Sequence, residues 1–224
     1  MLLFPSKEGA ELLIGKAMAN ITFQYNASAA SGSGSGSGSG SNNGTYNGNG
    51  TAWMVKDINS GSGASSPNEL TAIGNTLYFI AYDGYANGYE LWKSDGTSSG
   101  TVMVKDIRSG SSSSGGASLT AVGSTLYFTA NDGTNGTELW KSDGTASGTV
   151  MVKDINSGSG SGSPSYLTAI GSTLYFQAND GTNGIELWKS DGTASGTVMV
   201  KDIYSGSDNS DPSYLTAVGN TLYF

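Results

Sequence analysis

The sequence predicts an all-β protein, a β-propeller-like array of four-stranded antiparallel blades with a 48-residue repeat. The first observation is a copied segment. ELWKSDGTASGTVMVKDI occupies residues 138–155 and returns unchanged at residues 186–203, and a copy at residues 90–107 differs only at Ser98. The second observation is that each repeat contains short β-favouring runs, separated by Gly-marked turns, with no helical periodicity. A fixed period of roughly 20 to 50 residues is typical of repeat architectures.

Two tetrapeptides set the period across the repeat region. Val-Lys-Asp-Ile begins at Val55, Val104, Val152 and Val200, and Thr-Leu-Tyr-Phe begins at Thr76, Thr125, Thr173 and Thr221. Both series advance by 49, 48 and 48 residues. This regular spacing indicates that each unit folds in the same way.

Within one repeat, four runs favour β-strands. In the second copy they are residues 119–122, 125–130, 137–141 and 149–155. The segments between them carry Gly-Ser, Asn-Asp-Gly and Ser-Asp-Gly, which favour tight turns because Gly accepts positive φ and Asn and Asp favour turn conformations. Three tight turns followed by a long Ser/Gly-rich connection predict a four-stranded meander. We place the small first strand at the axis and the longer fourth strand at the rim.

The alternation of side chains predicts blades that are covered on both faces. Leu126 and Phe128 point to one side of their strand and Tyr127 to the other, and Leu139 and Trp140 also point to opposite sides. Apolar groups on both faces require a neighbour on each side of the sheet. Meanders stacked face to face are the blades of a propeller. A β-solenoid is the alternative, although its short coils do not need three hairpins per repeat.

The copied motif resembles the bacterial ELWxxDGT repeat family. The resemblance is carried by residues 90–97, which read ELWKSDGT, and by the copies that begin at Glu138 and Glu186, and it covers about residues 52–224. It implies a large bacterial surface or secreted protein with a propeller fold, located at the cell surface or outside the cell. It implies no established activity.

The chain divides into three parts. Residues 1–30 form an N-terminal segment with a short helix pattern and a strand pattern, in which Ile21, Phe23 and Tyr25 alternate with polar residues. Residues 31–50 are a Ser/Gly/Asn-rich linker, whose Ser-Gly alternation also permits close sheet stacking. Residues 51–224 hold about 3.5 copies of the repeat.

Composition excludes several function classes. The formal charge of −8 disfavours nucleic acid as a partner, since nucleic-acid binding needs clustered Lys and Arg. The chain contains no His and no Cys, which removes His-based catalysis, His metal sites and cysteine nucleophiles. No apolar run is long enough to predict a membrane-spanning helix. The departures from the repeat place no nucleophile–base pair, so we expect a non-enzymatic protein without a cofactor.

Two sets of repeated side chains are candidate binding residues. The aromatic set could stack on sugars, although blade-to-blade core positions are the favoured interpretation, and it comprises Trp92, Trp140 and Trp188. The acidic set could bind Ca²⁺, although each turn carries one carboxylate where a calcium loop needs several, so turn formation is favoured. It comprises Asp95, Asp143 and Asp191, with Asp83, Asp132 and Asp180 in the other Asp-Gly turns. The Val-Lys-Asp-Ile lysines are placed on exposed rims: Lys56, Lys105, Lys153 and Lys201.

The strand count predicts an unfinished blade. The pattern gives fifteen strands from Trp53 onwards, one third-type strand short of four blades, and it leaves Tyr223 and Phe224 uncovered. The strand pattern with Ile21, Phe23 and Tyr25 could complete the blade, within one chain or in a neighbour. A further alternative is that the chain is a fragment.

The near-identical copies favour a structural or adhesive protein that self-assembles head-to-tail into a filament or surface layer. The alternative function is a lectin-like propeller that binds carbohydrate.

Overall fold

The computed structural model describes residues 54–224, which fold as strands and turns without a helical residue in that range. The predicted N-terminal segment (residues 1–30) and the linker (residues 31–50) lie outside the described residues. Within residues 54–224 no helix is long and apolar enough to cross a membrane. The strands are β1 (Asn68–Ile73), β2 (Thr76–Tyr82), β3 (Tyr89–Ser94), β4 (Val102–Lys105), β5 (Ala117–Val122), β6 (Thr125–Asn131), β7 (Thr137–Ser142), β8 (Val150–Lys153), β9 (Ser165–Ile170), β10 (Thr173–Asn179), β11 (Ile185–Ser190), β12 (Val198–Lys201), β13 (Thr216–Val218) and β14 (Thr221–Tyr223).

The strands form three antiparallel four-stranded sheets and one two-stranded sheet, each with its strands in chain order. We call β1–β4 blade 1, β5–β8 blade 2, β9–β12 blade 3 and β13–β14 the half-blade. The prediction of an all-β array of four-stranded blades is confirmed. The sheets follow one another in series, and they do not close into a barrel.

Turn chemistry explains the order within a blade. Between β5 and β6, Gly123 adopts φ of 61° in a two-residue turn, and Val122 pairs with Thr125 across it. Such tight hairpins need positive φ, which Gly adopts without a Cβ clash. The sequence therefore forces the chain to reverse where the Gly-Ser pairs stand.

The first strand of each four-stranded blade carries a bulge at its second residue, and the half-blade keeps the same backbone angle at Tyr214, just before β13. In blade 2 this residue is Ser118, with φ of 58°, and the register shifts between Ala117 and Thr120. The corresponding residues share a φ of 55°: Glu69, Tyr166 and Tyr214. Positive φ in residues other than Gly is strained, so its return in every repeat shows that the bulge belongs to the architecture. Elsewhere we call these four the bulge positions.

Successive blades lie against one another through their first strands. Thr71 Oγ1 donates to the carbonyl oxygen of Leu119 at 3.0 Å, and Thr168 Oγ1 donates to that of Leu215 at 2.9 Å. Between blades 2 and 3, Thr120 Oγ1 makes the same contact at 3.5 Å. The first strand is therefore an edge along which successive blades are joined, and its expected place at an axis stays a prediction.

The core lies between blades and uses both faces of each sheet. Leu126, Phe128 and Trp140 pack with blade 1, whereas Tyr127 and Leu139 pack with blade 3. These are the opposite sides that the alternation predicted. Each inner blade thus buries apolar groups on both faces, which is the dominant favourable contribution to folding.

Two predictions about the fourth strand are wrong. It is the shortest strand of its blade, with β8 at four residues, because the chain leaves the sheet after Lys153. Asp154 then accepts the N–H of Gly158 at 3.0 Å, and the N–H of Ile155 bonds to Glu138 rather than to a strand. The expected fourth-type strand before β1 is not a strand within the described residues, so these hold fourteen strands.

Candidate functional site

The contact between successive blades is the most specific surface in the molecule. Lys93 Nζ in blade 1 donates to the carbonyl oxygen of Gly144 in blade 2 at 2.8 Å. The hydroxyl of Tyr78 lies against the same glycine, so a Cβ there would collide with it. Blades 2 and 3 repeat this contact through Tyr127, Lys141 and Gly192, again at 2.8 Å from Nζ to the carbonyl oxygen. A Tyr–Lys pair therefore receives the Asp-Gly turn of the next blade.

A second lysine reinforces each contact. Lys105 Nζ donates to the carbonyl oxygen of Thr149 at 2.8 Å and lies 5.7 Å from the centre of the Trp140 ring, in cation–π geometry. Lys153 repeats the arrangement on the next blade, and Lys56 donates to Thr101 at 2.7 Å. The prediction that these three lysines occupy exposed rims is wrong, because each bonds to the following blade. Lys201, at the end of the array, is exposed.

Two of the three tryptophans lie between blades, and the third lies between blade 1 and residues 54–58. Trp140 and Trp188 belong to the clusters between blades 1 and 2 and between blades 2 and 3, and Trp92 packs with Ile58 and Phe79. Their exposed fractions are only 5–7%. Each indole Nε1 is buried without a hydrogen-bond partner among the described residues. These rings present no open face on which a sugar could stack.

The Ser-Asp-Gly-Thr turns use their carboxylates internally. Asp143 Oδ1 accepts the N–H of Thr145 at 2.8 Å and its hydroxyl at 2.7 Å. These bonds, the hydroxyl first, hold the pKa of Asp143 below its usual value. The same hydroxyl accepts the N–H of Gly148 at 2.9 Å, which closes the loop. Asp95 and Asp191 make the corresponding bonds, with pKa values lowered by the same cause.

The other Asp-Gly turns show the same self-contained bonding. Asp132 Oδ1 accepts the N–H groups of Thr134 and Asn135, both at 2.8 Å. Burial raises the pKa of Asp132, but these donors outweigh burial and hold it below the usual value. Asp180 repeats these bonds, and Asp83 bonds to Asn87. No group of three or more His, Cys, Asp or Glu side chains that could hold a metal lies within residues 54–224.

A buried glutamate in each blade is a contact that the sequence reasoning missed. Glu138 is fully buried and accepts the N–H of Ile155 at 2.9 Å and that of Gly162 at 2.6 Å. Burial raises the pKa of its carboxyl to about 7, against the N–H donors. Its two oxygens thereby hold both ends of the connection that leads to blade 3.

The other two glutamates do the same. Glu90 accepts the N–H groups of Ile107 and Ser114 at 3.1 and 2.9 Å, and burial raises its pKa to about 7. Glu186 accepts those of Ile203 and Ser210 at 3.0 and 3.1 Å. The sequence did contain a signal for these glutamates, because a carboxylate within an otherwise apolar, buried strand needs hydrogen-bond donors.

One end of the array, which we call the rear face, exposes residues that are buried elsewhere. Val200 is 44% exposed, whereas Val104 and Val152 at the same position are 6% exposed. Tyr223 is 58% exposed, whereas the equivalent Tyr78 and Tyr127 are at most 6% exposed. Beside them a cleft is lined by Tyr175, Lys189, Asp191 and Val198, among others. Tyr175 and Lys189 are the Tyr–Lys pair of blade 3.

The opposite end, the front face, lies on blade 1. Leu70 is 43% exposed there, whereas Leu215 at the same position is 8% exposed under blade 3. Gly96 is half-buried, whereas the corresponding Gly144 and Gly192 are buried. Residues 54–58 cover part of this face, since Ile58 packs with Trp92. The front face therefore shows the Asp-Gly turn, and the rear face shows the residues that receive such a turn.

The predicted assembly residues fall in two places. Tyr223 and Phe224 lie on the exposed half-blade, with Phe224 60% exposed. Ile21, Phe23 and Tyr25 lie outside the described residues. The structure therefore shows the uncovered surface, and the segment expected to cover it stays a prediction.

Comparisons with known proteins add little to this geometry. No family model matches the sequence, and no curated protein matches it. Among solved structures, the chain is similar to the computationally designed Ika8 protein, with 16% sequence identity and a TM-score of 0.42. The match covers 77% of this chain and 46% of that protein, so it spans less than half of the designed protein's length. A similarity at this level supports no functional inference.

Proposed function

We propose that this protein is a non-enzymatic structural or adhesive component of the ELWxxDGT repeat type, which acts outside the cell or at its surface. In this proposal it binds copies of itself head-to-tail, as a filament or surface layer. The observation that carries the proposal is the blade contact, which residues 54–224 make twice between their own blades and leave unmade at the rear face. An exposed apolar face whose inner equivalents are covered is typical of an association surface.

The half-blade supports self-association in a second way. β14 is the outer strand of a two-stranded sheet, whereas β6 at the same position pairs on both sides. An edge strand with free backbone groups invites a strand from another chain. Among residues 54–224, Phe224 has no cross-strand partner of the kind that Phe128 has in Trp140. We propose that residues 20–26 of a neighbouring copy, with Ile21, Phe23 and Tyr25, provide the missing third strand.

Residues 54–58 of that neighbour would then occupy the fourth position of the shared blade. Lys56 already makes the contact to blade 1 that fourth-strand lysines make elsewhere. The shared blade would contain the half-blade of one copy, a donated third strand and this fourth-type run. In this arrangement the half-blade, residues 54–58 and blade 1 each have the same neighbours as the equivalent segments of the inner blades.

Deletion of residues 1–41 tests the proposal. We expect folded subunits that no longer assemble, because the donated strand is lost while blades 1–3 remain. Light scattering and electron microscopy would measure the size and shape of the particles, and circular dichroism their fold. A matched control deletes residues 1–19 and keeps Ile21, Phe23 and Tyr25, and it should assemble like the full chain. If the chain that lacks residues 1–41 forms the same assemblies as the full chain, residues 20–26 do not donate the third strand.

Carbohydrate binding is the competing function, and a glycan array separates the two. The covered tryptophans give us no stacking surface in residues 54–224 from which to argue for it. We expect no saturable binding to any glycan on the array. Saturable binding with several equivalent sites per chain would favour the lectin instead.

A further inference from the structure

We propose that the rear face of one copy binds the front face of the next in the register of an inner blade contact, with Tyr223 against Gly96 and Thr216 against Leu70. This inference rests on the proposed self-assembly and names its contact surfaces. The occupant of the rear face is a second copy of this chain. No further protein or ligand is needed.

The inner blades define the register of the contact. In each inner contact, a tyrosine of the second strand lies against the Asp-Gly turn of the next blade, as Tyr78 does with Gly144. Tyr223 is the fourth tyrosine of this series, after Tyr175. Residues 54–224 hold no Asp-Gly turn that lies against Tyr223. The corresponding turn on the front face is that of Gly96, so a second copy can complete the series.

The first strands give the same register independently. Thr71, Thr120 and Thr168 each donate to a leucine carbonyl in the next blade. Thr216 is next in the series, and it is exposed. Leu70 is the leucine of blade 1, which no earlier threonine among the described residues reaches. The tyrosine contact of the second strand and the threonine contact of the first strand therefore both predict that the rear face meets the front face.

The two surfaces differ from each other, which sets the direction of assembly. The rear face presents a tyrosine hydroxyl and a threonine donor, and the front face presents a glycine turn and a leucine carbonyl. If two rear faces met, hydrogen-bond donors and exposed aromatic rings would face each other, and neither face would offer the Asp-Gly turn that the tyrosine contacts. A head-to-tail contact satisfies both faces, and such a contact extends into an open chain unless its rotation closes a ring.

Closure within one chain is not what the structure shows. Leu70 on the front face and Tyr223 on the rear face are 43% and 58% exposed in the same molecule. If the two ends met in one chain, both side chains would be covered as their equivalents are. In the proposed contact, a second copy covers both of these side chains.

Cross-linking at the bulge positions tests the register. Tyr166 and Tyr214 lie on adjacent blades, with ring centres 5.7 Å apart, and Glu69 Oε2 accepts the N–H of Leu119 in the next blade. In the proposed contact, Tyr214 of one copy lies beside Glu69 of the next. The chain has no cysteine, so Tyr214→Cys and Glu69→Cys each introduce a single reactive thiol. Ser118 shows that a side chain of this size is accepted at a bulge position.

The two single variants are co-expressed and treated with a short bis-maleimide cross-linker. We expect cross-linked dimers in the mixture, with a yield like that of the internal reference Ser118→Cys/Tyr166→Cys, and few in either variant alone. Dimers from Tyr214→Cys alone would show that rear faces meet each other, and would overturn the inference. If light scattering shows assemblies but the mixture forms no cross-linked dimers, the proposed register is overturned and the proposed function still stands. A chain that forms no assemblies would defeat both.

Discussion

At the scale of single residues, the buried glutamates connect the blades most directly. Glu138 fixes the chain where it leaves β8 and again before it enters β9, through bonds to residues 17 and 24 positions later. Its pKa, raised by burial to about 7, means that folding favours the protonated form. Nearby, the negative charge of Asp154 raises this pKa further. Stability should therefore depend on pH through this carboxyl.

We expect the free energy of unfolding to decrease as the pH rises from about 4.5 to about 7. In this window the folded state binds more protons than the unfolded state at Glu90 and Glu138, so stability is greatest below the unfolded pKa and is lost as the pH passes the folded pKa. Urea unfolding at pH 5 and pH 8 measures the difference. Glu138→Gln should reduce the pH dependence, and Glu90→Gln together with Glu138→Gln should reduce it further. Equal stability at both pH values would contradict the raised pKa values.

Trp140 shows what the sequence could and could not say about a residue. Alternation correctly placed Trp140 and Leu139 on opposite sides of β7. It did not show that Lys105 of the previous blade would cover the ring. That contact joins residues of different blades, and no local pattern contains it.

At the scale of elements, the strands and turns follow closely from local sequence. The runs expected at residues 125–130 and 137–141 became β6 and β7 with small changes at their ends. The fourth run was overestimated because its last two residues leave the sheet: Asp154 accepts the N–H of Gly158 in the connection, and the N–H of Ile155 donates to Glu138 in β7. β-propensity reports a fit to a pleated, half-buried surface, and it does not report where a competing hydrogen-bond partner ends the strand.

The Asp-Gly turns should keep their structure without metal. Asp143 and its equivalents already accept donors from their own loops, so a divalent ion would have to displace Thr145. We expect the melting temperature to stay unchanged on addition of EDTA, by differential scanning calorimetry. Addition of Ca²⁺ to the EDTA-treated protein is the control. A drop of several degrees that Ca²⁺ restores would identify a calcium site in these turns.

At the scale of the whole molecule, blade 2 differs from its neighbours because each of its faces packs against a complete four-stranded blade. Leu126 and Phe128 pack against blade 1, and Tyr127 and Leu139 pack against blade 3. In a repeat array, stability is approximately the sum of single-repeat terms and nearest-neighbour contacts. The central blade should therefore be the most stable, and the half-blade the least.

Hydrogen exchange measured by mass spectrometry tests this ranking in the full chain at low concentration. We expect the slowest exchange in β6 and β7 and the fastest in β13 and β14, since local opening follows the density of buried contacts. At concentrations that promote assembly, protection should increase in β14 and on the front of blade 1. The same samples at low concentration are the control. Uniform exchange across all blades would show that the array unfolds as a single unit.

The sequence by itself determined the period, the four-strand meander, the turns and the two apolar faces of each blade. These follow from alternation and turn chemistry, which act over a few residues. The tertiary structure decided which groups meet: Lys141 reaches Gly192, 51 residues later, and Glu138 finds donors in a connection that has no regular pattern of its own. Such contacts depend on how one blade lies on the next, and that geometry exists only after the whole array has packed.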